Sequence, residues 1–289
     1  MSTSILVALD GTVHDATQPY LYVDDHAAVR GDGVFETLLV RDGRACSVSL
    51  HLRRLVRSAR LLDLAEPDTD AWRSAIDVAT RAWVTAAGAD AEGVLRLVYS
   101  RGRESVEGAG TGFLTVGPVA DRVSRARTRG VSVLVLDRGH SVDLAAAAPW
   151  QLLGAKTLSY ATNMAALRHA ASLGYDDVIY VSSEGVVLEG PRSSVVVVRD
   201  GTLITPPAEI GVLAGTTQLA TFALAESEGR ATRTQVLRRA DLIAADSVWL
   251  LSSVTLAARV TAIDGYALPA SADADWFTDL VDRAISADR

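Results

Sequence analysis

Short β-forming runs joined by tight turns, rather than by helices, set the strongest limit on what this chain can fold into. "ILVALDGTV" predicts a hairpin that turns at Asp10-Gly11, and "GVFETLLVRDGRACSV" predicts a second at Asp42-Gly43. In the second half, "DVIYVSSEGVVLEG" and "SVVVVRDGTLITPP" again read as strands followed by turns. Parallel strands need long crossovers, usually helical, whereas hairpins make antiparallel pairs. The pattern therefore predicts an α+β protein with two α/β domains, the second with mixed sheets rather than a doubly wound one.

Other segments fill in this outline. Leu52, Leu55, Val56, Ala59 and Leu62 recur at helical spacing and predict a helix over about 50–63. Further helices are expected over about 70–86, 162–173, 216–228 and 273–286. "VLRLVYS", "GFLTV", "VSVLVLD" and "SVWLLS" read as strands. "VADRVSRARTRG" is polar and arginine-rich, without a clear apolar period, and reads as a connection. The expected division is a smaller domain over 1–120, a connection over 121–129 and a larger domain over 130–289.

The composition narrows the function. The 289 residues are 49% hydrophobic and 22% charged, enough to bury a core. A net charge of −7 with no basic block argues against nucleic acid as partner. Arginine pairs such as Arg53-Arg54 and Arg238-Arg239 read as solvated helix faces. The start "MSTSILVALDG" lacks the basic region of a signal peptide, and no apolar run approaches the ~20 residues of a membrane span. One cysteine, Cys46, rules out an internal disulfide and fits a reducing cytoplasm. His14, His26, His51, His140 and His169 lie too far apart for metal-ligand spacing, so no metal is expected.

One residue stands out chemically. Lys and Arg together number 28, and Lys156, in "QLLGAKTLSYATNM", is the single lysine. An amine can form a Schiff base with a carbonyl and can give up its proton near neutral pH when partly desolvated; a guanidinium can do neither. Downstream, Glu189 ends the apolar run in "VVLEGPRSS" at a Gly-Pro bend, where an acid could pair with a ring nitrogen or simply face solvent. Gly215, Thr216 and Thr217 open the helix in "GVLAGTTQLATFALA", where free N–H groups and hydroxyls suit an anion or a plain cap.

In order along the chain, these segments resemble the class IV aminotransferases, the pyridoxal-phosphate enzymes of fold type IV with the D-amino-acid aminotransferase-like fold. The resemblance runs from about residue 20 to about 265. "RGDGVFET" looks like the family's glycine-rich strand start, and "HLRRL" like its His-x-x-Arg-Leu helix. It implies pyridoxal 5'-phosphate as cofactor, with Arg54, Thr216, Thr217 and Ser253 (in "LLSSVTLAARV") on the phosphate. It further implies Lys156 as the Schiff-base lysine and catalytic base, and Glu189 facing the pyridine nitrogen. Arg54 stands two residues beyond Leu52, where it can leave the core side of its helix. The implied assembly is a homodimer acting on a small molecule, with the larger domain binding the cofactor.

The sequence departs from the family in places that bear on substrate. The run after the acid is Gly190-Pro191-Arg192-Ser193-Ser194 where the family often has Gly-Ser-Ser-Ser-Asn, and Ser159 follows the lysine by three where Asn or Gly is common. Phe35-Glu36-Thr37-Leu38-Leu39 lacks the arginine of the branched-chain enzymes' Phe-Glu-Gly-Ile-Arg. The departures imply a 4-amino-4-deoxychorismate lyase, giving 4-aminobenzoate and pyruvate for folate biosynthesis. The alternatives are a D-amino-acid transaminase working on D-alanine and 2-oxoglutarate, another class IV aminotransferase, or a binding protein on this scaffold. Thr37 and Ser159 are candidates to bind the leaving group, and Arg101, Arg103 and Arg192 to bind the substrate carboxylate.

Overall fold

The computed structural model describes residues 4–108 and 110–286. The chain divides into two compact units. The first is the chain up to Ala120 together with Ala155–Tyr160; the second is Asp121–Gly154 and Ala161–Ile285.

The first unit comprises β1 (Ile5–Ala8), β2 (Val13–His14), α1 (His26–Val29), β3 (Gly33–Arg41), β4 (Arg44–Ala45), α2 (Val48–Leu61), α3 (Thr69–Ala87), β5 (Gly93–Ser100) and β6 (Thr111–Pro118). The strands form one antiparallel sheet in the order β2-β1-β6-β5-β3-β4. Both expected Asp-Gly hairpins form, with Gly11 at φ +89° and Asp42 and Gly43 at +51° and +69°. Successive side chains of β3 face opposite ways. Val34, Glu36, Leu38 and Val40 are buried on the side covered by α2 and α3, whose Leu52, Leu55, Ala59, Trp72 and Ile76 fill the core. Phe35 and Thr37 point to the other side.

The second unit comprises α4 (Asp121–Arg129), β7 (Val131–Asp137), α5 (Leu144–Ala147), α6 (Ala161–Ser172), β8 (Asp177–Val181), β9 (Ser194–Arg199), β10 (Thr202–Thr205), α7 (Thr216–Ser227), β11 (Thr232–Thr234), α8 (Arg239–Ile243), β12 (Ser247–Ser252), β13 (Leu256–Ile263), β14 (Tyr266–Ala267) and, to Ile285, α9 (Ala274–Ser286). Its sheet runs β11-β10-β9-β12-β13-β7-β8, with β14 on β13. β7 lies parallel to β8 and β13, and β10 to β11, while the remaining pairs are antiparallel, so the sheet is mixed. Val195 to Val198 are all buried because the sheet is covered on both faces. Val195, Val197, Val248, Leu250 and Val260 pack on one side with Leu237 and Leu242. On the other side Trp249 stacks on Phe277 of α9 at 4.6 Å.

Three features differ from the sequence reading. Residues 121–129 form a helix, α4, anchored by the single buried residue Val123; its arginines are good helix formers that supply no apolar period. β13 escaped notice because it follows directly on the turn at 253–255, and its first residue, Leu256, takes φ +63°. The third is Lys156, assigned to the larger domain by position in the chain. Its segment Ala155–Tyr160 belongs to the first unit, because Val34 and Thr157 bridge and the segment extends the β3 edge.

Candidate active site

In the first unit, the lysine segment is set by backbone pairing. Phe35 N–H donates to the Lys156 carbonyl at 3.0 Å, and Leu158 N–H to the Gly33 carbonyl at 2.8 Å. Lys156 N–H donates to Oγ of buried Ser58 on α2 at 3.1 Å. Lys156 therefore stands opposite Phe35, on the face of the sheet away from the helices. Its Nζ lies 4.5 Å from the centre of the Phe35 ring and 5.9 Å from that of Tyr160. The two rings meet edge to face at 5.3 Å. The amine is thus half-buried against aromatic faces, which suits a group that must work partly out of water.

Arg54 does not leave the core side of α2. Its side chain is 10% exposed and is held by Glu36, which accepts from Nε at 2.7 Å and Nη2 at 2.8 Å. His51 Nδ1 lies 2.6 Å from the second oxygen of the same carboxylate. Glu36 and His51 are both fully buried. Burial opposes the charge on Glu36, but the Arg54 guanidinium and then His51 outweigh it and hold the carboxyl well below its ordinary range. Burial dominates at His51 and pushes the imidazole down, against the pull of Glu36, with Arg54 and Lys156 adding to the depression. The neutral ring donating from Nδ1 to an ionised Glu36 is the arrangement we adopt. Of the arginine pair read as solvated, Arg53 is exposed and Arg54 is not.

In the second unit, Glu189 is half-buried at the bend before β9, and its Oε2 accepts from Leu213 N–H at 3.1 Å. Thr216 and Thr217 begin α7 and are both 3% exposed. Gly215 caps the helix with no side chain, and a Cβ there would press on the Ser194 hydroxyl. Nearby in sequence, the buried Ser193 Oγ has no hydrogen-bond partner among the described residues. Ser253 lies in the turn after β12, against which α7 packs. A helix start without a side-chain cap at Gly215, followed by two buried threonines, fits a phosphate group.

The substrate candidates are less uniform. Thr37 pairs with Arg96 in the β3/β5 register, on the Lys156 face. Ser159 is exposed and donates to the Gly31 carbonyl at 3.2 Å. Arg101 is bound to Asp32 and to the carbonyls of Leu62 and Asp63. Arg103 pairs with Asp24 and lies over the Tyr22 ring, and Arg192 pairs with the buried side of Asp177. Each of the three arginines is therefore committed to a carboxylate within its own unit. Sequence reasoning passed over Glu36, His51, Ser58, Phe35, Tyr160 and Arg96. The alternation that puts Arg96 on the less buried face of its strand was available as a signal, but the β3/β5 register that sets it opposite Thr37 was not.

A family model described as Amino-transferase class IV matches residues 33–263. A Mycobacterium tuberculosis protein named bifunctional aminodeoxychorismate lyase / D-amino acid transaminase is 54% identical over 99% of this chain and its own full length. The solved PLP-bound form of a hypothetical aminotransferase from the same organism is 53% identical, with a TM-score of 0.96 over 99% of this chain and 100% of that one. A fold IV transaminase from Curtobacterium pusillum is 41% identical, with a TM-score of 0.92 over 98% and 99%. The match spans most of the chain and both of its units, which sets aside the reading as a bare binding scaffold: the chain belongs to the class IV aminotransferases, pyridoxal-phosphate enzymes of fold type IV.

Proposed function

We propose that this chain is a 4-amino-4-deoxychorismate lyase, releasing 4-aminobenzoate and pyruvate, that also transaminates D-amino acids. The observation that carries this reading is the relative alike over its full length, whose name joins the two activities. Both reactions start with an amine-bearing carbon losing a proton, so one set of residues can serve both.

When bound, pyridoxal phosphate supplies an aldehyde for the substrate amine and a ring that accepts electrons from the deprotonated carbon. We assign Lys156 to hold that aldehyde at rest and then, once displaced, to take the substrate proton at Nζ. Phe35 and Tyr160 keep water from one side of the amine. Arg54, Thr216, Thr217 and Ser253 are assigned to the phosphate, and Glu189, oriented by Leu213 N–H, to the ring nitrogen. In the lyase reaction the bond from the neighbouring ring carbon to the enolpyruvyl oxygen then breaks, and the ring becomes aromatic. In transamination Lys156 would instead carry the proton from the substrate carbon to the cofactor carbon that bears the amine.

For the substrate carboxylate we choose Arg96 over Arg101, Arg103 and Arg192. Arg96 is exposed, sits opposite Thr37, and shares the sheet face that carries Phe35 and Lys156. We further propose a homodimer in the cytoplasm. Tyr22 and Val23 are 62% and 92% exposed, and Asp24 ties their loop to Arg103 and Ser105, beside exposed Val106. Such an apolar rim is what a second copy would cover. Sedimentation at twice 30.5 kDa would bear this out, and a monomer would oppose it. No helix among the described residues is long and apolar enough to cross a membrane, and the single cysteine, Cys46, is buried.

The deciding assay gives purified enzyme aminodeoxychorismate in one vessel and D-alanine with 2-oxoglutarate in another, with products identified by mass. The proposal expects 4-aminobenzoate in the first and a slower or comparable yield of pyruvate and glutamate in the second. Transamination without any 4-aminobenzoate would make the transaminase the main activity.

A further inference from the structure

Glu36 is an expensive residue to place where it is. It has no exposed surface, and it sits on β3 among Val34, Leu38 and the apolar side of α2. A buried ion pair is weak evidence for stability, since well-packed apolar residues often do as well. What the pair fixes is direction. The carboxylate grips the Nε–Nη2 edge of Arg54 through two bonds, and His51 Nδ1 fixes its remaining orientation. An arginine on a helix surface swings freely; this one is clamped to the sheet.

The clamp also has a reference point. Glu36 follows Phe35, whose N–H is bonded to the Lys156 carbonyl, and Lys156 N–H is bonded to Ser58 on the same helix as Arg54. One dipeptide of β3 thus touches the segment that carries the amine and the side chain that carries the guanidinium. We propose that Glu36 is the positioning residue of the cofactor site: it orients Arg54 for the phosphate and ties that anchor, through β3, to the place of Lys156. This rests on the reading of Arg54 as a phosphate ligand.

The role predicts an effect on phosphate recognition that a purely structural role would not give. The measurement is equilibrium binding to apoenzyme of pyridoxal phosphate and of pyridoxal, which lacks the phosphate; their affinity ratio reports the phosphate contact. Arg54→Ala should lower that ratio about tenfold or more, as expected for losing a charge-assisted contact. Glu36→Gln should lower it comparably and leave pyridoxal affinity within about twofold of wild type. In the Arg54→Ala background, Glu36→Gln should change the ratio no further. Glu36→Asp keeps the charge and withdraws the carboxylate by one methylene, so it should lower the ratio too, and it serves if Glu36→Gln does not fold. A normal or raised ratio in the Glu36 variants, with Arg54→Ala impaired, would overturn the positioning role alone. A normal ratio in Arg54→Ala would remove Arg54 from the phosphate and the proposal with it.

Discussion

His51 shows how a single residue couples the site to solution conditions. It is 1% exposed, faces Glu36, Arg54 and Lys156, and its imidazole is depressed below the ordinary 6.5 chiefly by burial. The unfolded chain takes up a proton here as pH falls through about 6.5, while the folded protein resists doing so. Stability gained from the neutral ring is therefore full above that pH and lost as pH falls from 6.5 toward the depressed folded value. Glu36 contributes no slope in this window, because both its folded and its unfolded values lie lower. Melting temperature should decline between pH 7 and 5.5. His51→Asn, whose amide can donate to Glu36 in place of Nδ1–H, should flatten the decline. An unchanged slope in that variant would show that His51 does not titrate as described.

Among the elements, β3 has the most to organise, and its first residue shows why glycine stands there. A Cβ on Gly33 would lie 2.6 Å from the Tyr99 carbonyl oxygen, 2.7 Å from Leu158 Cδ1 and 2.9 Å from Ser100 Cα. Two of these are backbone atoms that cannot swing aside. Gly33→Ala should therefore cost about 1–3 kcal/mol in denaturant unfolding, the usual toll of overpacking. It should also weaken cofactor retention, since the Gly33 carbonyl holds Leu158, two residues past Lys156. Unfolding at the wild-type midpoint would mean that the segment yields more easily than its contacts imply. The same strand marks the limit of what the sequence discloses. Asp42-Gly43 announced the hairpin and the apolar alternation announced the strand, because both are local signals. Glu36 looked like one polar residue in that alternation. Its partners, His51 and Arg54, lie 15 and 18 residues away, and only tertiary packing brings them under it. The helix α4 was hidden for the opposite reason: a helix with one buried residue has almost no apolar pattern to read.

At the scale of the whole molecule, the mixed sheet of the second unit and the cofactor chemistry were legible because turn residues, a lone lysine and ordered motifs are all properties of the linear chain. What was not legible is the membership of Ala155–Tyr160 in the first unit, which rests on a bridge between Val34 and Thr157, 123 positions apart (157 − 34) along the chain. This distribution has a consequence for the intact protein. With one lysine in 289 residues, the chain offers the cofactor aldehyde one side-chain amine, Lys156, besides its N-terminus. The direct test is to load purified protein with pyridoxal phosphate, reduce with borohydride, weigh the intact chain and map its peptides. The account predicts one reduced cofactor per chain, carried on the peptide containing Lys156. An unlabelled chain, or label only at the amino terminus, would contradict it.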